Sequence, residues 1–376
     1  MKILVPFDNS GWCTGNPFTQ LLPASFARGG ACVFEGLHWF ATSEIPFDVV
    51  NIQWPEYALP RSTSREEATK ALVGSLKRMK HRAVIVATVH NELPHSDRGG
   101  EMRLLYESVY SICDGFVHMG RKSEQIVNCQ FRQAVEGKPS VVIPHGNYAI
   151  FGERIDREAA KAALGFGKLK TALVVGAIRN SEELALVKKL TRAVTEVGGE
   201  VIFAAKMPIF PPRLFKGARL AARASDEVAG WVRRLPLRVR RRVHMLPSPV
   251  PSDLMASLGS AADVVLIPRI QTLNSGNVPF AFTYGSVACG PDVGNVGEIL
   301  RRTGNVTFDP IADAEVLRDA VGRAFDLAEH GHGELNYAIA LKDWSWDRIG
   351  AAYMDFFESL IQRRQVDEPD LTGPKL

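Results

Sequence analysis

The chain is expected to be an α/β protein built from two doubly wound, Rossmann-like domains that face each other. Three observations predict this. Its 376 residues, 46% of them hydrophobic, suffice for two separate cores. Short apolar or β-branched runs alternate with longer stretches of helical period along the whole chain, the pattern of parallel sheets covered by helices. Those runs also fall into two sets of six, one in each half.

In the first half the strand candidates are Lys2 to Pro6, Ala31 to Phe34, Val49 to Gln53, Ala83 to Thr88, Gly115 to His118 and Val141 to Pro144. In the second they are Thr171 to Val175, Val201 to Ala204, Val243 to Leu246, Asp263 to Ile267, Val287 to Cys289 and Val306 to Phe308. Helical periodicity covers Arg65 to Lys80, Gly100 to Ile112, Ser181 to Thr195, Ser252 to Ser260, Asp313 to Ala328 and Trp346 to Gln362. Ser181 and Ser252 read as N-caps, because each precedes an acidic residue and an apolar-periodic run. These elements give a first domain over residues 1–150 and a second over 151–342. A terminal helix over 343–364, long enough to cross back to the first domain, and a disordered tail over 365–376 complete the chain.

Composition narrows the function. Runs such as Ala83 to Ala87 fall far short of the roughly 20 apolar residues that a membrane-spanning helix needs. The segment Met1 to Asp8 turns polar at once, unlike a secretion signal, which points to the cytoplasm. The five cysteines form neither a CxxC pair nor a zinc-spaced cluster, so no metal site is expected. A net charge of +4 does not imply nucleic acid. Ten Lys or Arg residues do crowd between Arg213 and Arg242, a stretch that reads either as a solvated basic helix or as peripheral contact with the anionic inner face of the cell membrane.

In an open parallel sheet the ligand crevice lies beyond the carboxyl ends of the strands, so polar residues that follow strands come first. After the first strand, Gly11 and Gly15 lack dinucleotide-fingerprint spacing, which argues against a nicotinamide cofactor. Gly15 and Asn16 remain candidates for lining a cleft, as do Trp54 and Asn91 after later strands. His90, His95 and His145 all follow strands, where a neutral imidazole can accept a proton or meet a phosphate. Asp97 and Glu56 are the carboxylates on the same edge and candidate general bases.

In the second half Arg179, Lys206 and Arg269 each follow a strand, as a diphosphate cradle requires. Small residues at Asn274, Ser275 and Gly276, with a helix starting there, let backbone N–H groups approach an anion. Gly297 and Glu298 follow later in the same half.

The motifs resemble those of GT-B glycosyltransferases. The segment from Phe47 to Tyr57 is similar to the "DVxHxHWPEY" stretch of bacterial exopolysaccharide repeat-unit transferases. His90-Asn91, Pro94-His95 and Asp97-Arg98-Gly99 match their "HNxxPHxDRG", His145-Gly146-Asn147-Tyr148 their "HGxY", and Asn274-Ser275-Gly276 their "NSG". Asp343-Trp344, Arg348-Ile349 and Tyr353 match a closing "DWxxI…Y" helix. The nearest named group is the xanthan-type β-mannosyltransferases, which use GDP-mannose and invert the anomeric centre.

The resemblance implies a metal-independent transfer from a nucleotide sugar to a lipid-linked saccharide. His145, Gly146, Tyr148, Arg179, Lys206, Arg269, Asn274, Ser275, Gly276 and Glu298 would bind the donor, and Asp97, with His90 or His95 in competition, would act as base. Three departures leave the donor open: Glu182 replaces an expected lysine, Phe280 stands where a ribose-binding Glu would be, and Asn51 and Gln53 replace the two histidines before the tryptophan. A UDP-glucose or UDP-glucuronate transferase, a nucleotide-sugar epimerase or glucan phosphorylase, and a non-catalytic sugar-phosphate-binding protein are the rival readings.

Overall fold

β-branched residues dominate the central runs of both halves, and strands covered on both faces carry such continuous apolar sequence. In the computed structural model, which describes residues 1–7, 17–40, 45–60, 62, 64–93, 100–206, 241–246 and 250–367, these runs form two six-stranded, all-parallel sheets. The chain divides into two units, Met1–Gly146 with Ser345–Leu376, and Asn147–Trp344.

The sheet of the first unit comprises β1 (Lys2–Val5), β2 (Cys32–Glu35), β3 (Val49–Ile52), β4 (Val84–Val89), β5 (Gly115–His118) and β6 (Ser140–Val142), in the order β2-β1-β3-β4-β5-β6. β3, β4 and β5 are buried throughout. Helices α1 (Phe18–Arg28), α2 (Arg65–Lys80), α3 (Glu101–Ile112), α4 (Arg121–Gln130) and α5 (Arg132–Val135) cover the sheet. Ser64 caps α2 by accepting the Glu67 N–H at 3.2 Å. Two lysines serve the carboxyl end of α3, as its unpaired carbonyls favour: Lys80 donates to the Ile112 carbonyl and Lys138 to those of Tyr110 and Ser111, at 2.7 and 2.8 Å.

A last helix completes this core from the far end of the sequence. Trp346, Ile349, Tyr353, Phe356, Phe357 and Leu360 pack with Phe18, Phe26, Val86 and Val117. A Cβ on Gly115 would lie 2.9 Å from both Leu360 and Phe356, so only glycine admits the helix that closely. This helix runs from Trp346 to Asp367, so residues 365–367 are helical rather than part of a disordered tail.

The second unit contains β7 (Thr171–Ala177), β8 (Glu200–Lys206), β9 (Val243–Met245), β10 (Val264–Leu266), β11 (Val287–Pro291) and β12 (Val306–Phe308), in the order β12-β11-β10-β7-β8-β9. Its helices are α6 (Arg157–Ala163), α7 (Ser181–Glu196), α8 (Met255–Ala261), α9 (Asn277–Thr283), α10 (Gly294–Arg302), α11 (Ala314–Glu329) and α12 (His332–Lys342), and the Trp346–Asp367 helix of the first unit is α13. At the amino edge, buried Lys161 pairs with Asp263 at 2.9 Å while Asp263 also accepts the Thr171 N–H at 2.8 Å, which ties α6 to the sheet.

Neither serine expected to cap a helix does so. Asn180 caps α7 by accepting the Glu183 N–H at 2.8 Å, one residue before Ser181. Ser252 opens a single 3-10 turn over Ser252–Leu254 and makes no side-chain cap bond. Asn outranks Ser at a cap only slightly, so adjacent polar residues leave the choice to the incoming chain.

Candidate functional site

In such sheets, ligands sit beyond the carboxyl ends of the strands, at the point where the strand order reverses. That point falls between β1 and β3 in the first unit and between β7 and β10 in the second.

At the first edge, β3 runs into Gln53 and Trp54 and β4 into His90. The Trp54 and His90 rings stack 3.8 Å apart at 20°, and the edge of Phe18 meets His90 at 4.8 Å. His90 Nε2 lies 2.8 Å from Gln53 Oε1. Gln53 Nε2 donates to Asn51 Oδ1 and, at 3.3 Å, to Thr88 Oγ1. Asn51 Nδ2 donates to the Val86 carbonyl at 3.3 Å and to Thr88 Oγ1 at 3.2 Å, and Thr88 Oγ1 is 3.4 Å from Tyr353 Oη on α13. Every member is buried. Burial, and then the neighbouring His145, hold His90 well below the usual histidine range, so its ring is neutral at pH 7.

His145 lies between Phe18 at 4.9 Å and Trp346 at 6.1 Å and donates from Nδ1 to the Gly146 carbonyl at 2.7 Å. Burial pushes it down to about 4. A Cβ on Gly146 would come within 2.3 Å of the Trp346 ring, so this glycine is fixed by packing against α13. Glu56 occupies the 3-10 turn Pro55–Tyr57 and accepts a hydrogen bond from Tyr106 Oη at 2.8 Å. Burial raises its carboxyl above the usual range, as suits a group that takes up a proton. Asn91 is half-buried beside His90. Gly15, Asn16, His95 and Asp97 lie outside the described residues.

At the second edge, Gly176 turns the end of β7 with φ +95°, a backbone conformation that favours glycine. Arg269, following β10, reaches across to donate from Nη1 to the Ala177 carbonyl at 2.6 Å and to Glu183 Oε2 at 2.9 Å. The same Glu183 oxygen accepts the Arg179 N–H at 2.7 Å. Both partners of this ion pair are buried, at 6% and 2% side-chain exposure. Arg269 Nε is buried without a hydrogen-bond partner. Arg179 is pushed down to about 10 by burial and then by Arg269, and stays charged at pH 7.

The turn over Asn274, Ser275 and Gly276 is braced from several sides. Asn295 donates to Asn274 Oδ1 at 2.7 Å, Thr272 donates to the Asn274 carbonyl at 2.6 Å, and Ser275 Oγ accepts the Asn277 N–H at 3.4 Å. Asn277 Nδ2 reaches the Val175 carbonyl at 3.0 Å, which fastens this turn to β7. A Cβ on Gly276 would lie 2.3 Å from Tyr148 Oη. Glu298 is half-buried in the second turn of α10. Lys206 ends β8 opposite Ala177, with only its backbone described.

The expected donor set is thus divided between the units. His145 and Gly146 belong to the first, whereas Tyr148, Arg179, Lys206, Arg269, Asn274, Ser275, Gly276 and Glu298 belong to the second. Two residues at these edges escaped the sequence reading. Glu183, in the first turn of a helix, reads as surface charge until Arg269 arrives from β10. His118 ends β5, almost fully buried, with Nδ1 unpartnered and its ring held at about 4 by burial; its position at a strand end was the available signal. Among the described residues no group of three His, Cys, Asp or Glu is placed to hold a metal ion, and no helix is long and apolar enough to cross a membrane. The basic stretch from Arg213 lies outside the described residues up to position 240.

No family model matches the chain, and no curated protein matches it. Solved structures do. Sucrose-phosphate synthase from Thermosynechococcus elongatus superposes with a TM-score of 0.71 at 14% identity, over 96% of this chain and 99% of that one. HepE of Anabaena in complex with UDP gives 0.68 at 15% identity, over 96% and 100%. A glycosyltransferase from Rickettsia africae gives 0.66 at 11% identity, over 96% and 98%. The fold is GT-B. HepE has been solved with UDP and with UDP-glucose. Identities of this size establish shared architecture.

Proposed function

We propose that the protein is a glycosyltransferase that moves a sugar from a nucleoside diphosphate sugar to a lipid-linked saccharide. The observation that carries this reading is the arginine pair at the β7/β10 reversal. Arg179 and Arg269 stand at the place where parallel sheets of this order receive phosphates, and Arg269 keeps a buried N–H unmatched within the protein. Fixed guanidinium groups stabilise a leaving diphosphate as its charge develops, the task a divalent cation performs elsewhere. Turnover is therefore expected to survive chelation.

On the acceptor side Asp97 is the proposed base, with His90 or His95 in competition, and a one-step displacement would invert the anomeric centre. Asp97→Asn is expected to lower turnover far more than donor binding; equal turnover removes Asp97 from the role. The motif resemblance favours GDP-mannose as donor. A UDP-sugar is the second reading, supported by the likeness to HepE in complex with UDP-glucose. Thermal melts with GDP, UDP and dTDP discriminate, because a ligand that binds only the folded state raises the melting temperature. Slow hydrolysis of one labelled nucleotide sugar marks an enzyme; binding of a nucleotide with no hydrolysis or transfer of any donor points instead to a non-catalytic sugar-phosphate-binding protein.

Peripheral membrane contact through the Arg213 to Arg242 stretch belongs to the same proposal. Sedimentation with anionic liposomes should weaken when several of those arginines become Gln.

A further inference from the structure

The opposite end of the first sheet, where β3 and β4 begin, holds a cavity of about 290 Å³, close to the lower limit of small-molecule sites at roughly 300 Å³. Its floor is apolar. Phe47 precedes β3, Ala83 precedes β4, and Phe40 and Met79 line the same floor, all four of them buried. Phe34 meets Phe47 edge to face at 5.2 Å, so this floor is largely pre-formed. The mouth is cationic. Arg78, His81 and Arg82, all exposed, line it from the carboxyl end of α2. The Arg82 and Ala83 N–H groups both donate to the Met79 carbonyl at 2.9 Å, which carries the helical turn past Lys80 and keeps Arg78 and Arg82 one turn apart on the same side. Like charges so spaced repel. Among the described residues neither guanidinium forms an ion pair, and Arg78 Nη2 donates to Ser75 Oγ at 2.9 Å. Asp48, beside Phe47, accepts the Lys2 N–H at 2.6 Å and is thereby committed to β1.

We propose that this cavity is a second binding site, for a small amphiphilic anion: an apolar body, aromatic or aliphatic, that carries one carboxylate or phosphate. The body lies on Phe40, Phe47 and Met79, and the head sits between Arg78 and Arg82. Guanidinium forks match either head, since carboxylate and phosphate oxygens both accept paired N–H bonds. The proposal is independent of the glycosyltransferase reading, because the cavity contains none of the residues assigned to the donor or to the base. Cations at the carboxyl end of a helix are ordinarily accounted for by its dipole, and that suffices for Lys77 and Lys80. The dipole does not account for two unpaired arginines that share a cavity with buried phenyl rings.

Four probes test this on the full-length protein. Hydrocinnamate and phenyl phosphate carry the two heads on a phenyl body, hydrocinnamyl alcohol lacks the charge, and inorganic phosphate lacks the body. Binding is read from the 13C–1H signal of the Met79 methyl group, assigned by its loss in Met79→Leu. At least one of the two amphiphiles should shift that signal saturably at about millimolar concentration or below, and the tighter of the two identifies the head. The alcohol and inorganic phosphate should each bind at least about tenfold more weakly. The same loss is expected for the amphiphile in a variant with Arg78→Gln and Arg82→Gln, because a charge-assisted bond is worth about a factor of ten or more. No saturable shift with either amphiphile overturns the proposal, and so does equal binding of the alcohol or of inorganic phosphate, or unchanged affinity in the double variant. The comparison with the alcohol uses wild-type protein alone, so it decides the matter even if the double variant fails to fold. Transfer from a nucleotide sugar, found or not found, leaves this result standing.

Discussion

The carboxyl edge of the first sheet presents Gln53, Trp54, His90 and His145, a neutral hydrogen-bond chain set among aromatic rings, whereas that of the second presents Arg179 and Arg269 held around Glu183. The Gln53–His90 pair and the Arg269–Glu183 pair are both buried, but they solve burial differently. Amides and neutral imidazoles enter a core at modest cost once each donor has an acceptor, and what they specify is the direction of every proton. A buried ion pair loses far more hydration, and what it specifies is where charge stays. The first arrangement suits a proton transfer and the second an anion.

The contrast can be broken hardest at the ion pair. Arg269→Met should cost about 3 to 5 kcal/mol in denaturant unfolding, because Glu183 is left charged and buried. Adding Glu183→Met should restore most of that loss while leaving the nucleotide-induced rise in melting temperature abolished. If the double variant regains that rise, Arg269 holds the sheet edge together and nothing else.

A somewhat smaller effect for each residue is expected from pH at the first unit. His145 and His118 are pushed from 6.5 down to about 4. An unfolded chain therefore takes up protons before the folded one does as the pH falls. Their contribution is complete above pH 6.5 and is lost progressively down to about pH 4, at most about 3 kcal/mol for each. Melting temperatures measured from pH 7 to pH 4 should fall across that window, and His118→Asn should flatten the decline. An unaltered slope in a variant lacking both histidines would show that the neutrality of this edge has no energetic weight.

The smallest effect sharpens the comparison within the second unit. Gly276→Ala should cost about 1 to 3 kcal/mol through the clash of the new methyl with Tyr148 Oη, and Tyr148→Phe should recover part of it. Additive losses in the double variant, read from denaturant midpoints, would place the strain elsewhere.

Much of the frame was legible because buried parallel strands announce themselves as short apolar runs. All twelve lie where the sequence places them, although β6 begins and ends earlier than expected. Helices were harder. α1 contains Pro23, which ordinarily argues against a helix interior, and it persists through the burial of Phe18, Leu22 and Phe26 against α13. α4 buries only Ser123 and Val127, too thin a stripe to show as periodicity.

At the edges, residue type pointed to the right neighbourhood and missed the pairings. Arg269 stands out in the sequence, but its partner Glu183 is 86 residues away and nothing local separates it from exposed Glu182. Asn51 and Gln53 read as departures from a histidine pattern, since the direction of an amide becomes visible only when a carbonyl from another strand fixes it. Gly146 suggested a ligand and is accounted for by a tryptophan ring from α13.

That distant helix bears on how the protein is made. A nascent chain that has left the ribosome as far as Trp344 carries all twelve strands, yet Phe18, Phe26, Val86 and Val117 still lack the aromatic side chains that cover them. The second unit can finish first, while the first waits with apolar surface open until α13 emerges, the interval in which chaperone capture or aggregation would act.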